Sequence, residues 1–242
     1  MTASVPVVRA ALNPWEIVRA ALAAYRSQFG RVALTAVALY VPIGFFEAFF
    51  VDLGEGYFER HDNVVAGILL AAVLVVTSVS FVGDAFFAGF LDAAVGEEFH
   101  GHPHRTIGDI LRHLPYRRLV VADVLLGVLT GAASLALLVP GLLFFTFFCL
   151  VGPLINIERL PVRAAFARSF HLVRPAVLVV AAVVTLPVVA EHELAHALQI
   201  WAEHSYALKA AVDGGLAAVV YSIVGMVEVT LAYELIARDR GR

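Results

Sequence analysis

The chain has 242 residues, 61% of them hydrophobic and only 15% charged, with a mean hydropathy of +0.86. Soluble domains carry roughly 45–50% apolar and about 25% charged residues, so there is too little charge here to cover a water-exposed surface of this size. The formal net charge of -3 leaves no basic excess for nucleic acid. The single cysteine, Cys149, excludes an intramolecular disulfide and a cysteine zinc cluster.

The first segment, residues 1–31, holds four arginines and no early apolar core of the signal-peptide kind, so targeting is expected to rest on the first span. Within it, Asn13-Pro14-Trp15-Glu16 reads as a helix start, with Asn13 as cap and Pro14 at the first helical position. Ile17, Ala21 and Tyr25 line one face of that helix, and Arg19 and Arg26 lie on the wet side.

A helix needs about 20 mostly apolar residues to cross a bilayer, and apolar runs of that length are helical because lipid leaves no other partner for the backbone. The first such run is 32–51, followed by the acidic loop of Asp52, Glu55, Glu59 and Asp62. The second is 64–86. Thr106 to Leu114 then reads as another amphipathic stretch, with Ile107, Ile110 and Leu111 apolar. The third and fourth runs, 119–139 and 141–157, are separated only by Pro140-Gly141, which predicts a tight hairpin. Pro161 to Leu172 is a third amphipathic stretch, and the fifth run is 172–190. A second acidic loop carries Glu191, Glu193, Glu203 and Asp213 before the sixth run, 216–237. The expected fold is all-α: one polytopic membrane domain over 1–242, with six transmembrane helices and amphipathic interfacial helices on the cytoplasmic side.

Charge orients it. Fifteen of the seventeen Lys and Arg residues fall into four clusters, in segments 1–31, 96–118, 158–174 and 238–242. Cations collect on the cytoplasmic side of a membrane, so these segments share that side, and both termini are cytoplasmic in a plasma (bacterial inner) membrane. Arginines on interfacial helices also meet anionic headgroups. Arg26, Arg31, Arg117, Arg118, Arg163, Arg168 and Arg174 are the expected lipid contacts. The partners this implies are membrane lipid, a second copy of the chain or another membrane protein.

Gly152-Pro153-Leu154-Ile155-Asn156-Ile157-Glu158, followed by Ala165-Phe166-Ala167-Arg168-Ser169-Phe170-His171-Leu172, has a distinctive shape. A proline-containing span ends in an acid, and an Ala-x-x-Arg-Ser-x-x-Leu helix follows. With Asn13 to Arg31 and the closing Tyr233-Glu234-Leu235-Ile236-Ala237-Arg238, it resembles the six-span bacterial and archaeal membrane family related to the glycerophosphodiester phosphodiesterase membrane domain. The resemblance implies a six-span fold with an N-terminal helix. It implies no phosphodiesterase activity, which would require a further domain with acidic metal ligands.

His192-Glu193-Leu194-Ala195-His196 is an H-E-x-x-H motif. On a helix, His192 and His196 would face one zinc ion and Glu193 would act as general base on a bound water. Catalytic zinc needs a third protein ligand, and His204 falls off that helical face. An exposed polar helix joining spans five and six is the simpler reading, so no cofactor is expected and zinc enters only through this motif. His100, His102 and His104 sit in a Gly- and Pro-containing turn and read as a solvated loop.

Glu228 is the most deeply placed acid, in the sixth run. An ionisable group at membrane depth is a functional-site hypothesis by default, to be weighed against a glutamate that locks helix packing. Asp84, Asp92 and Asp123 are expected to pair with Arg117, Arg118 or Arg168. Three function classes follow in order. The first is a non-catalytic lipid-interacting or partner-binding module, the second a small-solute transporter using Glu228, and the third a zinc-dependent membrane hydrolase. An enzyme is not favoured.

Overall fold

The structure is a computed structural model that describes residues 12–58, 83–100, 107–199 and 205–241. Glu59, Arg60, Asp62, most of the expected 64–86 span, and Arg9, Arg105, His102, His104, Glu203, His204 and Arg242 lie outside the described residues. Among those described, the chain is all-helical with no strand.

Helix α1 (Pro14–Ser27) starts where the Asn13 side chain accepts a hydrogen bond from the Trp15 amide at 3.0 Å. Its Ile17 and Ala21 are buried, while Trp15, Arg19 and Arg26 are exposed. Helix α2 (Phe29–Phe58) follows at once, and its first part turns 92° from α1, forming an elbow at Gln28. It begins and ends outside the expected bounds of 32–51.

The expected second span does not run unbroken to residue 86. The chain turns at Gly83, and helix α3 (Asp84–His100) begins there. Gly83 has φ +116, a backbone conformation open to glycine and costly for other residues. Helix α4 (Ile107–His113) is short and buries Ile110.

Helices α5 (Tyr116–Ala136) and α6 (Leu138–Phe148) form the predicted hairpin, but its hinge is Leu137, in extended conformation (φ -165, ψ 144), not Pro140-Gly141. Pro140 is the third residue of α6, where the amide would have no helical partner anyway. The expected span 141–157 corresponds to the apolar stretch Val139–Ile157, with an interruption of regular helix inside it. It breaks at Cys149-Leu150, and α7 (Val151–Ile157) continues. Pro153 is the cause: it cannot donate to the Cys149 carbonyl four residues back, and its ring crowds that carbonyl.

The expected span 172–190 is likewise composite. Helix α8 (Val162–Val173) leads through a 3-10 turn at Arg174–Ala176 into α9 (Val177–Val180), a π-helical turn at Ala181–Thr185 and α10 (Leu186–Gln199). Pro187 would collide with the Val183 carbonyl in a regular α-helix, and the wider π turn makes room. The buried Thr185 hydroxyl in that turn hydrogen-bonds the Thr146 hydroxyl on α6 at 2.7 Å. Helix α11 (Tyr206–Arg240) is capped by Ser205 and extends past the expected 216–237 at both ends.

Helix α11 is the axis of the bundle. It lies along α2 and also touches α1, α3, α7, α8 and α10. The outside is apolar. On α5, Val120, Val121, Val124, Leu125, Val128 and Leu129 are each 40–49% exposed, while Asp123 and Thr130 of the same helix are buried. A monomer in water rarely exposes so continuous an aliphatic stripe, and acids inside with aliphatics outside is the distribution expected of a protein bathed in lipid. Among the described residues, three stretches are long and apolar enough to cross a bilayer: Val139–Ile157, Val162–Leu198 and Tyr206–Arg240. The elbow of α1 with Phe29–Phe45 is a fourth candidate if counted as one bent span. The protein is therefore an all-helical protein with several apolar helices of membrane-spanning length.

Candidate functional site

Two polar constellations stand out in this apolar bundle. The first is at the end of the axis helix. The Arg168 guanidinium on α8 donates from Nε and Nη2 to the Glu158 carboxylate at 3.1 and 3.3 Å, and from Nη1 to Asp239 at 2.7 Å. His171 Nε2 is 3.6 Å from Asp239, and Arg240 Nη2 is 4.0 Å from Glu158. Arg118 Nη1 donates to the Arg159 carbonyl at 3.1 Å. Arg159 itself is in the left-handed region, φ 54, where it ends the turn after α7. These bonds tie Arg118, the 158–174 segment and the C-terminal turn of α11 together, so three of the four arginine clusters meet at one end of the bundle.

Of the seven arginines expected at lipid, Arg26, Arg117, Arg118, Arg163 and Arg174 are exposed, and Arg31 and Arg168 are half-buried. Arg168 is occupied by two carboxylates that are themselves mostly covered, at 15% and 28% side-chain exposure. Arg168→Ala should therefore destabilise the fold by about 2–3 kcal/mol, since hydrogen bonds to charged groups are worth about 1.5–3 kcal/mol each and the orphaned acids stay partly buried. Arg163→Ala, exposed on the same helix, should change stability by less than about 0.5 kcal/mol. Thermal unfolding of the two variants in detergent checks the contrast.

The second constellation is inside. Glu228 on α11 and Asp84 at the start of α3 are both 0% exposed, Asp123 on α5 is 3% and Tyr40 on α2 is 1%. Asp84, Asp123 and Glu228 lie within electrostatic range of one another, and all three act on the Tyr40 hydroxyl. The Cys149 thiol, at the α6–α7 break, also feels Glu228 and Asp84. The ring of Tyr40 is fixed by stacking on Tyr221, with centroids 5.0 Å apart, and by an edge contact with Phe87 at 5.4 Å.

The expected pairing of Asp123 with an arginine gives way to backbone. Its carboxylate accepts from the Gly83 amide at 2.5 Å and the Ala85 amide at 3.0 Å, closing the N-terminus of α3. Asp92 accepts from the Tyr233 hydroxyl at 2.7 Å and from the Asn156 side-chain amide. These acids sit deeper than the arginine end, and Arg168 is taken by Glu158 and Asp239. Both carboxyl oxygens of Asp84, both of Glu228 and the Tyr40 hydroxyl have no hydrogen-bond partner among the described residues. Reading the sequence singled out Glu228 but missed its association with Asp84 and Tyr40. The available signal was the Gly83-Asp84 pair near the end of a predicted span, a turn followed by an acid.

The H-E-x-x-H residues are elsewhere. His192, Glu193 and His196 lie on α10, which continues directly from the π turn rather than forming a separate loop helix. All three are exposed, whereas Glu191 on the same helix is buried. Among the described residues no three His, Cys, Asp or Glu side chains converge on a point that would hold a metal ion. No known protein family, curated protein or solved structure matches the chain.

Proposed function

We propose that this chain is a six-span protein of the plasma (bacterial inner) membrane, with both termini cytoplasmic, and that it serves as a non-catalytic module binding anionic lipid or a membrane partner. The observation that carries the reading is the meeting of three arginine clusters at one end of a bundle whose flanks are aliphatic. That end is where a surface of anionic headgroups would be met, each cation near it contributing about 1 kcal/mol. The elbow at Gln28 adds support. It turns α1 across the direction of α2, with Trp15 exposed and Arg19 lying 5.6 Å over its ring, the pairing of aromatic and cation favoured at headgroup depth. The resemblance to the phosphodiesterase-associated membrane family fits the same reading.

The test uses arginines that are exposed and not committed to Glu158 or Asp239. Substituting Arg26, Arg117, Arg163 and Arg174 together by Gln should weaken retention of phosphatidylglycerol in native mass spectrometry by about 1 kcal/mol per residue, with phosphatidylcholine unaffected. Equal retention of both lipids by the variant and the parent refutes lipid recognition through these groups.

A second reading, small-solute transport using Glu228, is favoured by one observation: this acid is wholly buried on the axis helix beside Asp84.

A further inference from the structure

Buried polar atoms in proteins are almost always satisfied, and buried charges are paired with a counter-charge or coordinate a cation. The cluster of Asp84, Glu228 and Tyr40 departs from the first rule among the described residues. Five oxygen atoms, two from Asp84, two from Glu228 and the Tyr40 hydroxyl, are buried without a hydrogen bond among the described residues. Among the described residues, Asp123 and Tyr221 lie within electrostatic range of these groups, and the Cys149 thiol lies within range of Glu228 and Asp84. Asp123 is already committed to the amides of Gly83 and Ala85. The Cys149 thiol donates to the Thr146 carbonyl at 3.4 Å.

The arrangement is built rather than incidental. Tyr40 is only 1% exposed, its ring is held by contacts with Tyr221 and Phe87, and its hydroxyl lies within electrostatic range of both acids. The positive φ of Gly83 and the Asp123 cap fix the first residue of α3, which is Asp84. Pro153 frees the Cys149 carbonyl from its helical hydrogen bond at a residue adjoining the cluster. Non-helical backbone at membrane depth is tolerated where it lines a cavity or is buried in protein, and broken helices are a recurring way to present oxygen donors to ions in lipid.

We propose that Tyr40, Asp84 and Glu228 form a buried binding site for an alkali cation. The free donors are hard oxygens, which suit alkali and alkaline-earth ions and not zinc or copper. Calcium takes 6–8 oxygen ligands and magnesium a near-ideal octahedron with retained waters. The five free oxygens of these three side chains fall short of calcium's shell and do not make magnesium's octahedron, so a singly charged ion is the better occupant. The site deepens the transport reading and is independent of lipid binding at the arginine end. Saturable binding without flux across a vesicle would retain the site and remove transport.

The experiment is a melting-temperature titration of the full chain in detergent at constant ionic strength, with choline chloride as balancing salt and sodium, potassium, lithium, magnesium and calcium chlorides as probes, together with equilibrium binding of radioactive sodium. The expected result is a saturable rise in melting temperature with an alkali ion, about one equivalent bound, and loss of both in Glu228→Gln and in Asp84→Asn. Circular dichroism establishes that those variants fold. Should either fail to fold, Tyr40→Phe removes a single oxygen and should raise the half-saturating concentration by about tenfold. A melting temperature indifferent to alkali ions overturns the site, as does saturation by divalent ions alone. A cation response unchanged in Glu228→Gln, Asp84→Asn or folded Tyr40→Phe overturns it as well.

Discussion

Gly152→Ala should cost the fold about 3 kcal/mol or more, although alanine is the better helix former by about 1 kcal/mol. Gly152 lies in α7, where that helix presses against the start of α3. A Cβ there would sit 2.0 Å from the Ala85 carbonyl oxygen and 2.8 and 2.9 Å from the Ala85 carbonyl carbon and Cα. All three are backbone atoms, so no side-chain rotation relieves the contact. Either α7 or α3 must shift, and Ala85 is held in place by the Asp123 carboxylate. The steric term therefore outweighs the gain in helix propensity. Gly30 and Gly215 provide the control, because a Cβ at either position meets nothing within 4 Å. Their alanine variants should be neutral or more stable by up to about 1 kcal/mol. Denaturation in mixed micelles, followed by circular dichroism, separates the three. If Gly152→Ala unfolds at the same denaturant fraction as Gly30→Ala, the close approach of α7 and α3 is wrong.

That contact explains which parts of the fold were legible in the sequence. Local chemistry was readable: the Asn13-Pro14 helix start, the burial of Ile17 and Ala21, and a tight turn between α5 and α6 all depend on residues a few positions apart. The helix breaks were partly readable. Pro153 and Pro187 each act on the carbonyl four residues back, so the break at Cys149 and the π turn before Leu186 were implied by the prolines, yet hydropathy alone merged each region into one run. The turn at Gly83 was harder, because its partner Asp123 is 40 residues away in sequence. Six crossings remain a reading of hydropathy beyond the stretches among the described residues that meet the length and apolarity required.

The sites divide the same way. Glu228 could be picked out because an acid inside an apolar run is visible in one dimension. Its association with Asp84 and Tyr40 joins three helices from distant parts of the chain, and no spacing rule reports it. The arginine clusters were visible in one dimension, and the structure brings Arg118, Arg159 and Arg168 to one end of the bundle. What they did not reveal is the division of labour within a cluster. Arg163 is exposed, while Arg168, five residues later, is clamped between Glu158 and Asp239.

Asp123→Ala should destabilise the protein by about 3–4 kcal/mol, with the damage concentrated at one helix end. The aspartate accepts two buried amide hydrogens, from Gly83 and Ala85, at the N-terminus of α3. An abandoned buried donor costs about 1–3 kcal/mol, and a carboxylate at a helix N-terminus also has a favourable interaction with the helix dipole. Asp123→Asn is the discriminating variant. Its amide keeps one acceptor oxygen but turns the other position into a donor facing an N–H, so it should recover no more than half of the loss. Hydrogen exchange localises the effect: the Ala85 and Phe87 amides should lose protection in Asp123→Ala, while the α8 amides should not. Uniform loss across the bundle would mean that Asp123 acts as general core packing and not as the cap of α3. The cap also bears on the buried acids. Because Gly83 and Asp123 together set the direction in which Asp84 leaves the turn, Asp123→Ala should weaken any cation response even in molecules that remain folded. Asp123 would then be a positioning residue, holding Asp84 beside Glu228 without touching the ion.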